Sequence, residues 1–174
     1  PDVLLIGPDE ESLQWVAQAA ARHGLAHGVC RKLRHGDREV DIELPDLPFA
    51  GRAVVLLDDV ASSGQTLVEA TRLLCAAGAA SVDVALMIHM YHEIEQPYLL
   101  LDRLRRSLKP GGRIVVVDLD RPSEEHGMPK ALLACEVKAV GYELISMTDI
   151  KQGYVAMFRP GVRPRPETVK ACRG

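Results

Sequence analysis

Short, unbroken apolar runs recur along this chain, each followed by a turn and then by a stretch with helical spacing. VLLI (3–6), AVVLL (53–57) and IVVV (114–117) are the clearest, and VDVALMIHM (82–90) reads as a further strand. A strand that is apolar on both sides needs cover on both faces of its sheet, and parallel βα units supply it. After the first run, Leu13, Val16, Ala17 and Ala20 fall at i, i+3, i+4 and i+7 behind the acidic start Asp9, Glu10, Glu11, and Gly24 is the stop. The same spacing predicts helices over 65–77, 95–108 and 130–140. Residues 27–32 and 39–44 read as further strands, and 142–146 with 154–158 as an antiparallel closing pair. The fold expected is a three-layer, doubly wound, Rossmann-like α/β domain over 1–159, its sheet mostly parallel with an antiparallel C-terminal strand pair, followed by a mobile proline-rich tail over 160–174.

With 174 residues, of which 47% are hydrophobic, the chain is long enough for one buried core without metal or disulfide. A net charge of −3 gives no basic surface, so neither nucleic acid nor membrane is an expected partner. No apolar run approaches the roughly 20 residues that span a bilayer. The chain opens PDVLLIG, without an initiator methionine or a basic leader, as a fragment or processed chain would. Cys30, Cys75, Cys135 and Cys172 are scattered with no CxxC, which suits free thiols and a cytoplasmic location.

The chemistry concentrates in VVLLDDVASSGQTL, residues 54–67: an apolar strand, two acids, a small-residue loop and a helix. In a parallel sheet this loop emerges at the carboxyl edge, where such folds bind ligands. Small residues at Ala61, Ser62, Ser63 and Gly64 let backbone N–H groups curl around a phosphate at a helix N-terminus, and the hydroxyls of Ser62, Ser63 and Thr66 add donors beside Gln65. Asp58 and Asp59 stand where they would hold ribose hydroxyls, directly or through Mg²⁺. The plainer alternative is a serine cap followed by solvated acids.

This run resembles the phosphoribosyl pyrophosphate motif of type I phosphoribosyltransferases, and residues 2–85 resemble the C-terminal half of ribose-phosphate pyrophosphokinase. The resemblance implies that Asp58 and Asp59 contact ribose, that 61–66 cradle the 5-phosphate, and that Mg²⁺ accompanies a phosphoribosyl ligand. GPDEES (7–12) falls at the position of the family's pyrophosphate loop. RKLRHGDREVDI (31–42) falls at its flexible catalytic loop, which makes Lys32 and Arg34 the implied catalytic cations. The family's N-terminal half, which helps to build the nucleotide site and the oligomer, has no counterpart in the segment that resembles it.

From Leu86 the order of strand, polar loop, leucine-rich helix, LKPGG (108–112) and apolar strand resembles the later half of class I S-adenosylmethionine-dependent methyltransferases, over about 86–158. That resemblance implies a pocket lined by His89, Tyr91, His92 and Glu93. The glycine-rich cofactor turn of that family is missing, so S-adenosylmethionine is not an expected ligand. As a metal site H-x-x-H-E (89–93) lacks both the helical spacing of a zincin and a third ligand nearby, and Asp118 and Asp120 read as loop acids, so no metal is expected.

Taken together the two resemblances describe a chimera, recombined or engineered, joined between Ala85 and Leu86, where the alternation of Val82, Val84, Leu86 and Ile88 runs unbroken through the join. Its expected behaviour is a folded protein with no physiological activity and weak binding of phosphate or ribose 5-phosphate. The alternatives are a phosphoribosyltransferase or pyrophosphokinase-like transferase, and a methyltransferase. A strand edge left exposed by the join would favour a homodimer.

Overall fold

The computed structural model describes residues 3–35, 39–58, 65–88, 91–108 and 110–172. In chain order the elements are β1 (Val3–Gly7), α1 (Leu13–His23), β2 (Ala26–Val29), β3 (Arg31–His35), β4 (Glu39–Glu43), β5 (Ala53–Asp58) and α2 (Gln65–Ala76). They continue with β6 (Ser81–Ile88), α3 (Pro97–Ser107), β7 (Ile114–Asp118), α4 (Lys130–Ala139), β8 (Tyr142–Ile150) and β9 (Gly153–Pro160). A seven-stranded sheet runs β2-β1-β5-β6-β7-β9-β8. The pairs from β2 to β7 are parallel, while β9 is antiparallel to both β7 and β8. The expected mostly parallel α/β sheet with an antiparallel C-terminal end is therefore the fold.

Alternation along the strands divides the core. Leu4, Ile6, Val54, Leu56, Ile114 and Val116 face a large cluster completed by Leu67 and Leu74 of α2, Leu100, Leu101 and Leu104 of α3, and Leu133 and Val137 of α4. Leu5 and Leu57 face the other way, against Val16 and Ala20 of α1. Three helices thus cover one face and one covers the other. Each fully buried leucine stabilises the fold by roughly 1.5–3 kcal/mol relative to exposure. Gly24 ends α1 at φ 62°, a left-handed geometry that costs glycine little, and its N–H bonds the Ala20 carbonyl.

Three expectations change. Residues 27–32 do not form one strand: buried Cys30 donates its N–H to the Gly7 carbonyl (2.9 Å), β2 stops before it, and β3 leaves to pair only with β4. The alternation through residues 82–88 is not unbroken either. Leu56 pairs with Val84 but Leu57 with Leu86, and Val84 pairs with Ile114 but Leu86 with Val115, so Ala85 is an extra residue in both ladders. Such a bulge shifts the register by one residue.

The third change concerns the thiols. Cys135 of α4 and Cys172 are disulfide-bonded across 37 residues, while Cys30 and Cys75 are not in disulfides. The bond is possible because the proline-rich tail lies back along α3. Arg163 pairs with Asp102 (2.8 Å), the Cys172 N–H donates to the Tyr98 hydroxyl (2.7 Å), and Arg105 donates to the carbonyls of Gly141 and Gly161. Closing a loop of this length removes chain entropy from the unfolded state. Cys172→Ser, or reduction with dithiothreitol, is expected to lower the unfolding free energy in urea by about 2–4 kcal/mol. An unchanged urea midpoint would show that the bridge does not hold the tail.

Candidate functional site

The carboxyl ends of the parallel strands β1, β5, β6 and β7 are Gly7, Asp58, Ile88 and Asp118, and they lie side by side along one edge of the sheet. At the first of them the chain turns sharply through GPDEES. Ser12 is buried, its hydroxyl donates to the Asp9 carbonyl (2.6 Å), and its Oγ and Cβ lie against Gly7 so closely that no side chain fits at position 7. The Asp9 side chain is thereby presented at the edge, and Lys32 Nζ donates to its Oδ2 at 2.6 Å.

Lys32 reaches Asp9 because of the β3–β4 ribbon. Lys32 is paired opposite Ile42, so the two share one face, and Ile42 packs against the main core. That anchoring turns Lys32 inward over the turn. The two segments expected to form the pyrophosphate and catalytic loops therefore meet. Arg34 lies in β3 opposite Val40.

Next to this, β5 ends in Asp58, which is only 5% exposed, on the face covered by α2, α3 and α4. The predicted helix begins at Gln65, exposed, and Thr66, half-buried, and it is seated by Leu67, Ala70 and Leu74. Thr71 donates to the Leu67 carbonyl at 2.7 Å. Strand β5 and helix α2 follow in the predicted order. Asp59, Ala61, Ser62, Ser63 and Gly64 lie outside the described residues, as does His89.

Beyond β6, residues 91–93 form a short 3₁₀ turn. Tyr91 is buried with its hydroxyl facing Glu136 outside good hydrogen-bond geometry; burial raises both pKa values, and Glu136 adds to the rise of Tyr91. The side chain of His92 is 4% exposed and that of Glu93 60%. His92 Nδ1 lies 3.2 Å from Oδ2 of Asp118, whose other oxygen accepts the Leu119 N–H at 2.8 Å. Asp118 is thus a buried partner rather than a loop acid. Asp120 is exposed and pairs with Lys130. A carboxylate at the end of an apolar strand, one strand away from a histidine turn, was the available signal for Asp118.

Burial, with a smaller contribution from Asp9, pushes the Cys30 thiol up to about 12, so beside this edge it is a packing residue and not a nucleophile.

The phosphoribosyl transferase domain family matches residues 1–99 of the 174, and the chain belongs to that family. It is 39% identical over 82 residues to ribose-phosphate pyrophosphokinase of Methanosarcina acetivorans, covering 47% of this chain and 29% of that one. Ribose-phosphate pyrophosphokinase 2 of Archaeoglobus fulgidus is 38% identical over 84 residues, covering 48% and 31%. The phosphoribosylpyrophosphate synthetase structure from Mycobacterium smegmatis aligns at a TM-score of 0.44 and 20% identity over 62% of this chain and 32% of that one. The chain spans about three tenths of the length of the curated relatives it matches. The family match runs past the boundary drawn between Ala85 and Leu86 and takes in the turn over 91–93. The family match and the curated relatives back the phosphoribosyl alternative better than an inactive chimera.

The GPDEES turn allows a direct test. Gly7→Ala drives a methyl group into Ser12 and is expected to lower stability by about 1–3 kcal/mol, read as a drop in thermal midpoint. A variant as stable as the parent would mean the turn is not packed as described.

Proposed function

We propose that the chain binds a 5-phosphoribosyl ligand at the carboxyl edge of its sheet, as part of a transferase that moves a phosphoribosyl or diphosphate group. The observation that carries this reading is the contact of Lys32 with Asp9. It joins the GPDEES turn to the β3–β4 ribbon at the end of β1, the strand beside β5 and its Asp58. In the proposed complex the loop over 59–64 and the N-terminus of α2 take the 5-phosphate, Asp58 and Asp59 take the ribose hydroxyls, and Lys32 with Arg34 takes the transferring phosphates.

The edge carries Asp9 and Asp58, hard oxygen donors of the kind that share Mg²⁺ with a ligand's phosphates. Mg²⁺ would supply the positive charge that two carboxylates and one lysine do not. An anion must also draw Lys32 away from Asp9. A chimera and a methyl-transfer pocket receive no such support: Tyr91, assigned to that pocket, is buried against Glu136.

Calorimetry with pyrophosphate and ribose 5-phosphate, each with Mg²⁺, tests the proposal. Ribose 5-phosphate is expected to bind with Kd on the order of 1 mM, about 4 kcal/mol, since neutral donors form most of its site. Lys32→Ala should weaken pyrophosphate at least several-fold. Equal pyrophosphate affinities for the parent and Lys32→Ala would reject the assignment.

A further inference from the structure

We infer that His92, Glu93 and His126 form a site for a divalent transition-metal ion of the Zn²⁺ class, at the carboxyl edge of β6 and β7. One ligand atom from each of the three lies within 4.8 Å of the other two. His92 and Glu93 are adjacent in the sequence, but no linear metal motif includes the third residue, because His126 arrives from the loop after β7, 33 residues beyond Glu93 (126 minus 93). The fold supplies the third ligand.

The His92 ring and the His126 backbone are held by something other than a metal. His92 sits in a turn whose flanking residues, Tyr91 and Ile94, are buried. Its Nδ1 faces the Asp118 carboxylate at 3.2 Å, with the Asp118 side chain fully buried, and Nε2 points toward Glu93 Oε1 at 3.9 Å. Nδ1–H donation to a carboxylate selects the tautomer whose Nε2 carries a lone pair, the arrangement by which proteins orient and sharpen a metal-ligating imidazole.

His126 is in the left-handed region at φ 56°, the one non-glycine residue there among those described. Its loop is closed by Met128 N–H to the Leu119 carbonyl (2.9 Å), by the Tyr154 hydroxyl to the Met128 carbonyl (2.8 Å), and by Lys130 N–H to Asp120 (3.1 Å). The loop therefore fixes His126 in a conformation that costs a side chain energy. It places the ring 6.2 Å from that of His92, edge to face.

The donor set decides the ion. Two imidazole nitrogens and one carboxylate oxygen suit Zn²⁺ and its first-row neighbours, and are too few and too soft for Ca²⁺ or Mg²⁺. Bonds of about 2.0–2.2 Å put ligand atoms about 3.4 Å apart around a tetrahedral ion, so binding requires a closure of about 1 Å. Glu93 and His126 are exposed and have the freedom to make it, while His92 stays fixed. Three protein ligands leave a fourth position for water or a ligand oxygen. This site lies beyond β6 and β7, on the side of β5 away from β1, and does not depend on the phosphoribosyl reading.

The test is competition for Zn²⁺ between the tag-free chain and a chromophoric chelator, with Co²⁺ absorption spectra as a second readout. One equivalent should bind. His92→Ala and His126→Asn should each weaken it at least ten-fold, Asp118→Asn should weaken it ten- to a hundred-fold, and all three should abolish the Co²⁺ ligand-field bands. His126→Gly keeps the backbone conformation without the imidazole, so loss of binding there separates ligation from folding. His23→Ala and Cys75→Ser, on the surface of α1 and in α2, should change nothing. Binding that survives His92→Ala and His126→Gly, or that falls equally with His23→Ala, would overturn the proposal.

Discussion

The structure depends on β6 pairing in parallel with β5 on one side and β7 on the other. A parallel strand between two others is buried on both faces, so its register dictates what meets at its carboxyl end. The extra residue at Ala85 shifts both ladders together, setting Asp58 opposite Met87 and Ile88 opposite Val117. Because the two neighbours shift in step, Gly7, Asp58, Ile88 and Asp118 still finish along one line. All the chemistry proposed for this protein stands on that line.

The edge is acidic where it is buried. Asp58 and Asp118 are nearly inaccessible, and Asp9 is neutralised by Lys32. Carboxylates gathered where a phosphate is meant to bind repel it unless a cation stands between them. Lys32 on its ribbon, a metal shared with the phosphates, and the helix dipole of α2 would each supply positive charge there. An acidic edge of this kind suits anions that arrive with a metal ion.

The βα alternation was legible because it follows from the need to cover both sides of an apolar strand, and every long helix appears within a few residues of its predicted span. The contact between the GPDEES turn and Lys32 was legible only through the resemblance to ribose-phosphate pyrophosphokinase. Nothing local in RKLRHGDREVDI says that β3 leaves the main sheet, since Cys30 and Gly7 meet through the fold. The Cys135–Cys172 bond and the approach of His126 to His92 were hidden for the same reason. Each joins segments whose spacing carries no motif, and each rests on a tertiary return of the chain. The bulge at Ala85 was invisible because an apolar run reads the same in either register.

Amide chemical shifts of the labelled chain, followed as ribose 5-phosphate and Mg²⁺ are added, test the central claim most directly. The predicted result is a set of saturable shifts confined to residues 7–12, 31–33 and 58–66, with the strands β8 and β9 unmoved. Shifts that avoid the ends of β1 and β5, or that gather on β8 and β9, would contradict a phosphoribosyl site at the carboxyl edge.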